Sequence, residues 1–287
     1  MDLQGKGAVV TGAASGIGRG IAEAFARRGA DVVVADIEAD RAAEVASTLE
    51  VGGTRAFAVG CDVTDASSIE DLAARAWEEL GHVDVLVNNA GVFSSSPFLA
   101  IDEANARWLL DVNVMGVFLG CQVFGRRFVE QGTPAHIVNT GSENSLGMPH
   151  TNAAMYTATK HAVLALSDVL RNELPDFIGV SILCPGVVAS DLQTATRNRH
   201  ERYGGPTPSG RSNGAPTGFG LTPDVVGERV AEGVERGDFY IVTHPPVVEL
   251  ASERWDEISA AFAAQAPRFE GDDRLDTRAL LRGMNRP

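Results

Sequence analysis

Cysteine is scarce: the chain has three in 287 residues, Cys61, Cys121 and Cys184, odd in number and far apart. This argues against a disulfide framework, and no Cys-x-x-Cys or Cys/His cluster offers metal-ligand spacing. They read as small buried hydrophobes kept reduced. The six histidines, His82, His136, His150, His161, His200 and His244, lack ligand spacing too, so no metal is expected. Positive charge is also short, with 24 Lys and Arg against 38 Asp and Glu and a formal net charge of −14. Nucleic acid binding needs a basic face, so no nucleic-acid partner is expected. No apolar run approaches the roughly 18 to 20 residues of a membrane-spanning helix, so no membrane partner is expected either. The start, Met1 to Lys6, lacks the charged-then-apolar build of a secretory signal. These absences point to the cytoplasm.

What is present is an alternation of strand and helix patterns in an average globular composition, 44% hydrophobic and 22% charged. Ala8-Val9-Val10, Val32 to Ala35, Ala56 to Val59, Val83 to Val87, His136 to Asn139, Val180 to Leu183 and Phe239 to Val242 read as strands. Helical spacing runs from Ile17 to Arg28, Ala42 to Leu49, Ile69 to Leu80, Asp102 to Val129, Ala153 to Leu174 and Val225 to Glu235. Strands apolar on both faces, separated by helices, predict a doubly wound parallel sheet covered on both sides. Right-handed crossovers then place ligands at the carboxyl ends of the strands. One α/β domain is predicted over residues 1–243, with 190–221, rich in Gly and Pro, as a substrate lid loop. Residues 244–287 are predicted to form an extension packed on the same domain, helical from Val247 to Ala264.

Between the first strand and first helix lies Gly12-Ala13-Ala14-Ser15-Gly16-Ile17-Gly18. Glycine permits the tight turn at Gly12, backbone approach to a pyrophosphate at Gly16 and close helix packing at Gly18. The helix amino terminus, with Ser15 and Ile17, offers N–H groups to phosphates. Asp36 ends the second strand, where its carboxylate can accept from ribose hydroxyls and repel a 2′-phosphate. Neither Ile37 nor the glycine turn supplies a positive charge, which favours NAD over NADP, although Arg41 could swing in. Asp62-Val63 is placed to meet the adenine; equally, Asp62 could cap a helix with Thr64.

Four ordered motifs carry a resemblance. Thr11 to Gly18, Asn88-Asn89-Ala90-Gly91, Tyr156-Thr157-Ala158-Thr159-Lys160 and Pro185-Gly186 are similar to those of the short-chain dehydrogenase/reductase family of ordinary length, over about residues 5–243. The resemblance implies a Rossmann-like fold, a nicotinamide cofactor held by the motifs above with Asn89, Ala90, Gly91, Pro185, Gly186, Val188 and Ser190, and a homo-tetramer or homo-dimer. It also implies that Ser142 holds the substrate oxygen and that Asn113 anchors a water in a proton relay with Lys160.

The residues make their own case. Tyr156 and Lys160 are four apart in a helical segment, hence on one face. A phenol titrates near 10, too high for a base near neutrality; a nearby ammonium and the positive nicotinamide ring would lower it, so that Tyr156, beside the cofactor, exchanges the alcohol proton, and Lys160 can also hydrogen-bond the nicotinamide ribose. Glu143 after Ser142, and a wide gap from Ser142 to Tyr156, depart from the family pattern and make Ser145 a rival for the serine role. Candidate substrate walls are Phe93, Leu146, Met148, Met155, Val187, Val188 and Leu192, mostly apolar, which favours a hydrophobic or aromatic alcohol or ketone. Met148 and Met155 could equally be core, and Arg197, Arg199 and Arg202 could reach a substrate carboxylate. The alternatives to an alcohol dehydrogenase are a nucleotide-sugar epimerase or dehydratase and a non-catalytic NAD(P)-sensing regulator.

Overall fold

The computed structural model describes residues 1–50, 53–147, 151–206 and 220–278. In chain order its strands and main helices are β1 (Gly7–Thr11), α1 (Gly16–Arg27), β2 (Asp31–Asp36), α2 (Ala39–Leu49), β3 (Ala56–Gly60), α3 (Ala66–Leu80), β4 (Val85–Asn88), α4 (Glu103–Leu110), α5 (Gly116–Gln131), β5 (Ala135–Thr140), α6 (Ala154–Glu173), β6 (Ile178–Cys184), α7 (Pro223–Arg236), β7 (Tyr240–Val242) and α8 (Val247–Gln265). The strands form one parallel sheet in the order β3-β2-β1-β4-β5-β6-β7. This is the Rossmann-like, doubly wound sheet that the alternation predicts.

Successive side chains of β1 point to opposite faces and both faces are dry. Ala8 and Val10 pack with Phe25 of α1, Val45 of α2 and Val230 of α7. Val9 packs instead with Leu72 of α3, Leu109 of α4 and Phe124 of α5. Val163 of α6 closes a third cluster with Val117, Ile182 and Cys184. Because β1 pairs with β2 on one side and β4 on the other, the winding reverses there, leaving a crevice at the carboxyl ends.

Four expectations change. The helix predicted over Asp102 to Val129 is α4 and α5 joined by a π-helical turn, Asp111–Met115, which carries Asn113 fully inside. The continuous helix spans 29 residues and, contrary to expectation, is apolar enough to cross a membrane by length and composition. The sequence shows no uninterrupted apolar run there, but the helix averages over few charges. With 56% of its apolar window buried inside the protein, it is a core helix of this fold.

The segment 190–221 is more ordered at its start than a lid without periodicity implies. Short 3-10 turns occupy Asp191–Asn198 and Glu201–Tyr203. Polar contacts hold them: the Tyr203 hydroxyl donates to Asp111 at 2.6 Å and Arg202 to Thr64 at 2.6 Å. Hydrophobic periodicity cannot reveal such contacts. Finally, α8 touches the domain near its start, where Leu250 abuts Gly147 and Arg254 reaches His161. Residues 252–271 are exposed, so the predicted packing of the extension does not extend along it. Helical spacing identifies the helix but not what its apolar stripe meets.

Candidate functional site

A cleft runs along the carboxyl ends of the strands from Asp36 and Ile37 at one end to Ser142 and Tyr156 at the other. At its centre is the glycine turn. Gly12 (φ +64°) and Gly16 (φ +53°) hold a backbone conformation that side chains rarely adopt. Gly16 also faces Ser190, whose Cβ would lie 2.9 Å from an added Cβ. Gly18, expected among the cofactor contacts, does not line the cleft. A Cβ there would stand 2.2 Å from the Gly12 carbonyl oxygen, so its bareness lets α1 close on the turn. Asn89 buttresses the turn, donating from Nδ2 to the Thr11 and Gly12 carbonyls at 3.0 and 3.2 Å.

The remaining expected cofactor residues Ser15, Ile17, Asp62, Val63, Ala90, Gly91, Pro185, Gly186 and Val188 line the cleft. Asp36 accepts from the Ala14 N–H at 2.9 Å and from the Glu38 N–H at 3.0 Å. Asp62 also performs its capping role, accepting from the Thr64 N–H at 2.9 Å and hydroxyl at 2.7 Å. Arg41 is engaged by Glu38 and Asp191. Of the three lid arginines, Arg197 is held by Glu38 and Arg202 by Thr64, while Arg199 lies over Trp108 with Asp102 at 3.8 Å and its buried Nε has no hydrogen-bond partner among the described residues.

At the other end, α6 presents Tyr156 and Lys160, both buried, on one face. Lys160 is one of two lysines in a chain whose other strong cations are arginines; a lysine can lose its proton when buried, whereas an arginine cannot. Burial brings the Lys160 ammonium down to about 8, opposed by Cys184. It donates to the Thr140 carbonyl at 2.8 Å. Tyr156 stacks edge-on against Phe93, with centroids 4.9 Å apart, and hydrogen-bonds Ser142.

The expected acidification of the phenol is not what the protein's own groups produce. Burial pushes Tyr156 up to about 12; the Ser142 hydrogen bond lowers it and the Glu143 charge raises it. The Lys160 ammonium stands 5.7 Å from the ring centroid and is not among the causes. Removing a phenolate from water outweighs a cation at that range.

The structure separates the two serine candidates. Ser142 lines the cleft, whereas Ser145 is buried behind it, donating to the Lys160 carbonyl at 2.8 Å and accepting from the Ser142 N–H at 3.2 Å. Asn113 does not reach the cleft surface. Its side chain accepts from the Val92 N–H at 2.8 Å and donates to the Val92 carbonyl at 2.9 Å and to Thr159 at 3.2 Å. Among the substrate candidates Phe93, Val187, Val188 and Leu192 line the cleft. Leu146 and Met155 do not: Leu146 packs on the Val163 cluster and Met155 on the core under α3 to α5. Nearness to Tyr156 in sequence does not fix direction: Met155 is turned towards the core by α6, and Leu146 by the end of the 3-10 turn Glu143–Ser145. Met148 lies outside the described residues.

Several cleft residues escaped the motifs. Trp108 and Val112 come from α4 and its π turn, Glu143 and Asn144 from the turn after β5, and Glu38, Asp191 and Arg197 from the rim. His244 is a supporting residue: its Nδ1 accepts from the Gly186 N–H at 3.0 Å and its Nε2 faces the Val187 carbonyl at 2.9 Å, fixing the turn after β6. Of these, the sequence draws attention only to Glu143, beside Ser142, and to Arg197 in the loop after β6.

A dinucleotide fits the donor set. The glycine cradle is open where a side chain would fill it, Asp36 presents carboxylate oxygens, and Thr140 Oγ1, in the cleft, is buried without a hydrogen-bond partner among the described residues.

Comparison with known proteins agrees with this geometry. The family model described as short chain dehydrogenase matches residues 6–201. 1-Deoxy-11-beta-hydroxypentalenate dehydrogenase of Streptomyces exfoliatus is 40% identical over 195 residues, 67% of this chain and 70% of that protein. Probable oxidoreductase EphD of Mycobacterium tuberculosis is 39% identical over 188 residues, 65% of this chain, and the match spans only 32% of EphD's length. A short-chain dehydrogenase/reductase from Burkholderia phymatum solved with NAD superposes with a TM-score of 0.83 at 32% identity, covering 94% of this chain and 99% of that one. A protein from Beutenbergia cavernae described by its likeness to NAD(P)-dependent gluconate 5-dehydrogenases, solved with NADP at low occupancy, gives 0.70 at 33%, covering 86% and 98%. On the family match and the shared fold, the chain belongs to the short-chain dehydrogenase/reductase family.

Proposed function

We propose that this chain is an oxidoreductase that transfers a hydride between a nicotinamide cofactor, with NAD favoured, and a secondary alcohol or ketone. One observation carries the reading: Ser142 and Tyr156 hydrogen-bond at one end of the cleft whose other end holds the glycine turn and Asp36. When bound, the nicotinamide supplies or accepts the hydride. Ser142 holds the substrate oxygen; the positive charge of an oxidised nicotinamide ring would favour the Tyr156 phenolate that the protein's own groups disfavour, and Tyr156 takes the proton in oxidation or returns it in reduction. Lys160, brought to about 8, can gain or lose a proton near neutrality. Asn113 holds the Val92 backbone in register beside it.

The apolar walls Phe93, Trp108, Val112, Val187 and Leu192 support a hydrophobic or aromatic substrate. A relative named for dehydrogenating a hydroxylated pentalenate is in keeping with this. Engagement of Arg41 by Glu38 and Asp191 supports NAD. A homo-oligomer is expected, because Met115 at the end of the π turn, Phe118 at the start of α5 and Val169 on α6 expose apolar surface.

Aliphatic, aryl and steroidal alcohols, each followed by absorbance with NAD and with NADP, test the proposal. NADH should form with at least one class, and faster than NADPH. An NADP preference would overturn the cofactor assignment. Tight NADH binding without turnover on any alcohol or ketone would favour the regulator.

A further inference from the structure

The Asp36 end of the cleft carries a charge cluster that the motifs do not explain. Glu38, immediately before α2, receives two arginines. Arg197, from the 3-10 turn after β6, donates from Nε at 3.2 Å and from Nη2 at 2.5 Å. Arg41 of α2 donates to the same carboxylate at 3.0 Å and to Asp191 at 2.9 Å. Glu38, Asp191 and Arg197 line the cleft with Asp36, and the Glu38 N–H donates to Asp36 at 3.0 Å. Two guanidinium groups therefore stand beside the carboxylate assigned to the adenosine ribose, and both are already neutralised. The Arg197 hydrogen bond holds the Glu38 carboxyl below its ordinary range, so it stays ionised at neutral pH.

A planar guanidinium fork is the side chain best matched to a phosphate dianion. A cleft lined by one of them, Arg197, with Arg41 bound to the same Glu38 carboxylate, should welcome a 2′-phosphate unless something holds them back. We propose that Glu38 is a specificity-determining residue: it sequesters Arg41 and Arg197 and so makes the cleft reject 2′-phosphorylated adenosine. Asp36 repels the phosphate from one side, and Glu38 withdraws the cations that would compensate. This rests on reading the cleft as a dinucleotide site with the ribose at Asp36.

The test reads binding, not turnover. Adenosine 5′-monophosphate and adenosine 2′,5′-bisphosphate are titrated by calorimetry into the wild-type protein and into Glu38→Gln, with NADH titrated into the wild type by fluorescence. The wild type should prefer the monophosphate, and Glu38→Gln should move the ratio towards the bisphosphate by about ten-fold, the scale of one charge-assisted hydrogen bond. Adding Arg41→Met and Arg197→Met to Glu38→Gln should erase that gain. A Glu38→Gln protein that binds the monophosphate normally with an unchanged ratio would overturn the proposal, as would a gain surviving the loss of both arginines. Equal weakening of both nucleotides would also overturn it, because Glu38 would then be bracing the loop without selecting. If neither the monophosphate nor NADH binds the wild type, the dinucleotide reading itself fails, a result distinct from the others.

Discussion

At the Tyr156 end of the cleft the ionisable groups are buried among apolar walls, whereas at the Asp36 end they are partly exposed and paired with one another. Tyr156 and Lys160 are 8% and 5% exposed; the Arg197 and Glu38 side chains are 33% and 23% exposed. Burial drives the phenol up to about 12 and the ammonium down to about 8. At the rim the Arg197 hydrogen bond holds the Glu38 carboxyl down, and pairs so exposed contribute only about 0.2–1 kcal/mol each to stability. One end of the cleft thus brings an ammonium towards neutrality while keeping the phenol protonated, and the other uses charge to choose what enters.

Removing the phenolic oxygen should produce the largest effect. Tyr156→Phe keeps the ring and its edge contact with Phe93 but deletes the proton carrier. Turnover should fall by about 10²–10⁴-fold, the usual contribution of a general acid or base. NADH binding, followed by fluorescence, should remain. Retained turnover would remove the chemical role from this end altogether.

Next is the serine pair. Ser142→Ala should lower kcat by about 10²–10³-fold, as loss of one preorganised donor does. Ser145→Ala, whose hydroxyl joins two buried backbone groups, should chiefly lower the melting temperature, with an unfolding cost of about 1–3 kcal/mol. A larger kcat loss in Ser145→Ala than in Ser142→Ala would reverse the assignment.

The sequence revealed these two ends unequally. The sheet, its order of elements and the glycine turn were legible because they rest on local signals: β-branched runs, helical spacing, and glycines at a turn that needs positive φ. Tyr156 and Lys160 were legible because four residues make one helical turn. The π turn at Asn113 was not, since one extra residue in a turn leaves the helical pattern almost intact. Nor was the clamp of Glu38, Arg41, Asp191 and Arg197, because it joins residues as far apart as 38 and 197 through side chains that sequence spacing cannot relate. The phenol's ionisation was misjudged for a related reason: the motif advertises a nearby cation, but the depth of burial is a property of the whole fold.

At the charged end, Asp36→Ala should raise kcat/KM with NADP relative to NAD by about ten-fold, the scale of one charged contact. An unchanged ratio would leave the discrimination to Glu38 and its arginines, and would sharpen the contrast between a carboxylate that repels and one that withholds cations.

Glu143 offers the smallest effect and the finest test of the contrast, because it is a charge placed at the buried end. Its carboxylate disfavours the neighbouring phenolate and so helps raise Tyr156. Glu143→Gln keeps the size and removes the charge, so the phenol's pKa should drop, by about half a unit or less at such a site. Alcohol oxidation needs the phenolate and rises with pH; its profile should therefore shift to lower pH in the variant. Ketone reduction needs the protonated phenol, so its alkaline fall should also begin at lower pH. Because both groups line the cleft, raising the salt from 0.05 to 0.5 M should shrink the shift through screening. A profile that stays in place, or moves to higher pH, would show that burial alone sets the phenol and that the charge beside Ser142 has no part in it.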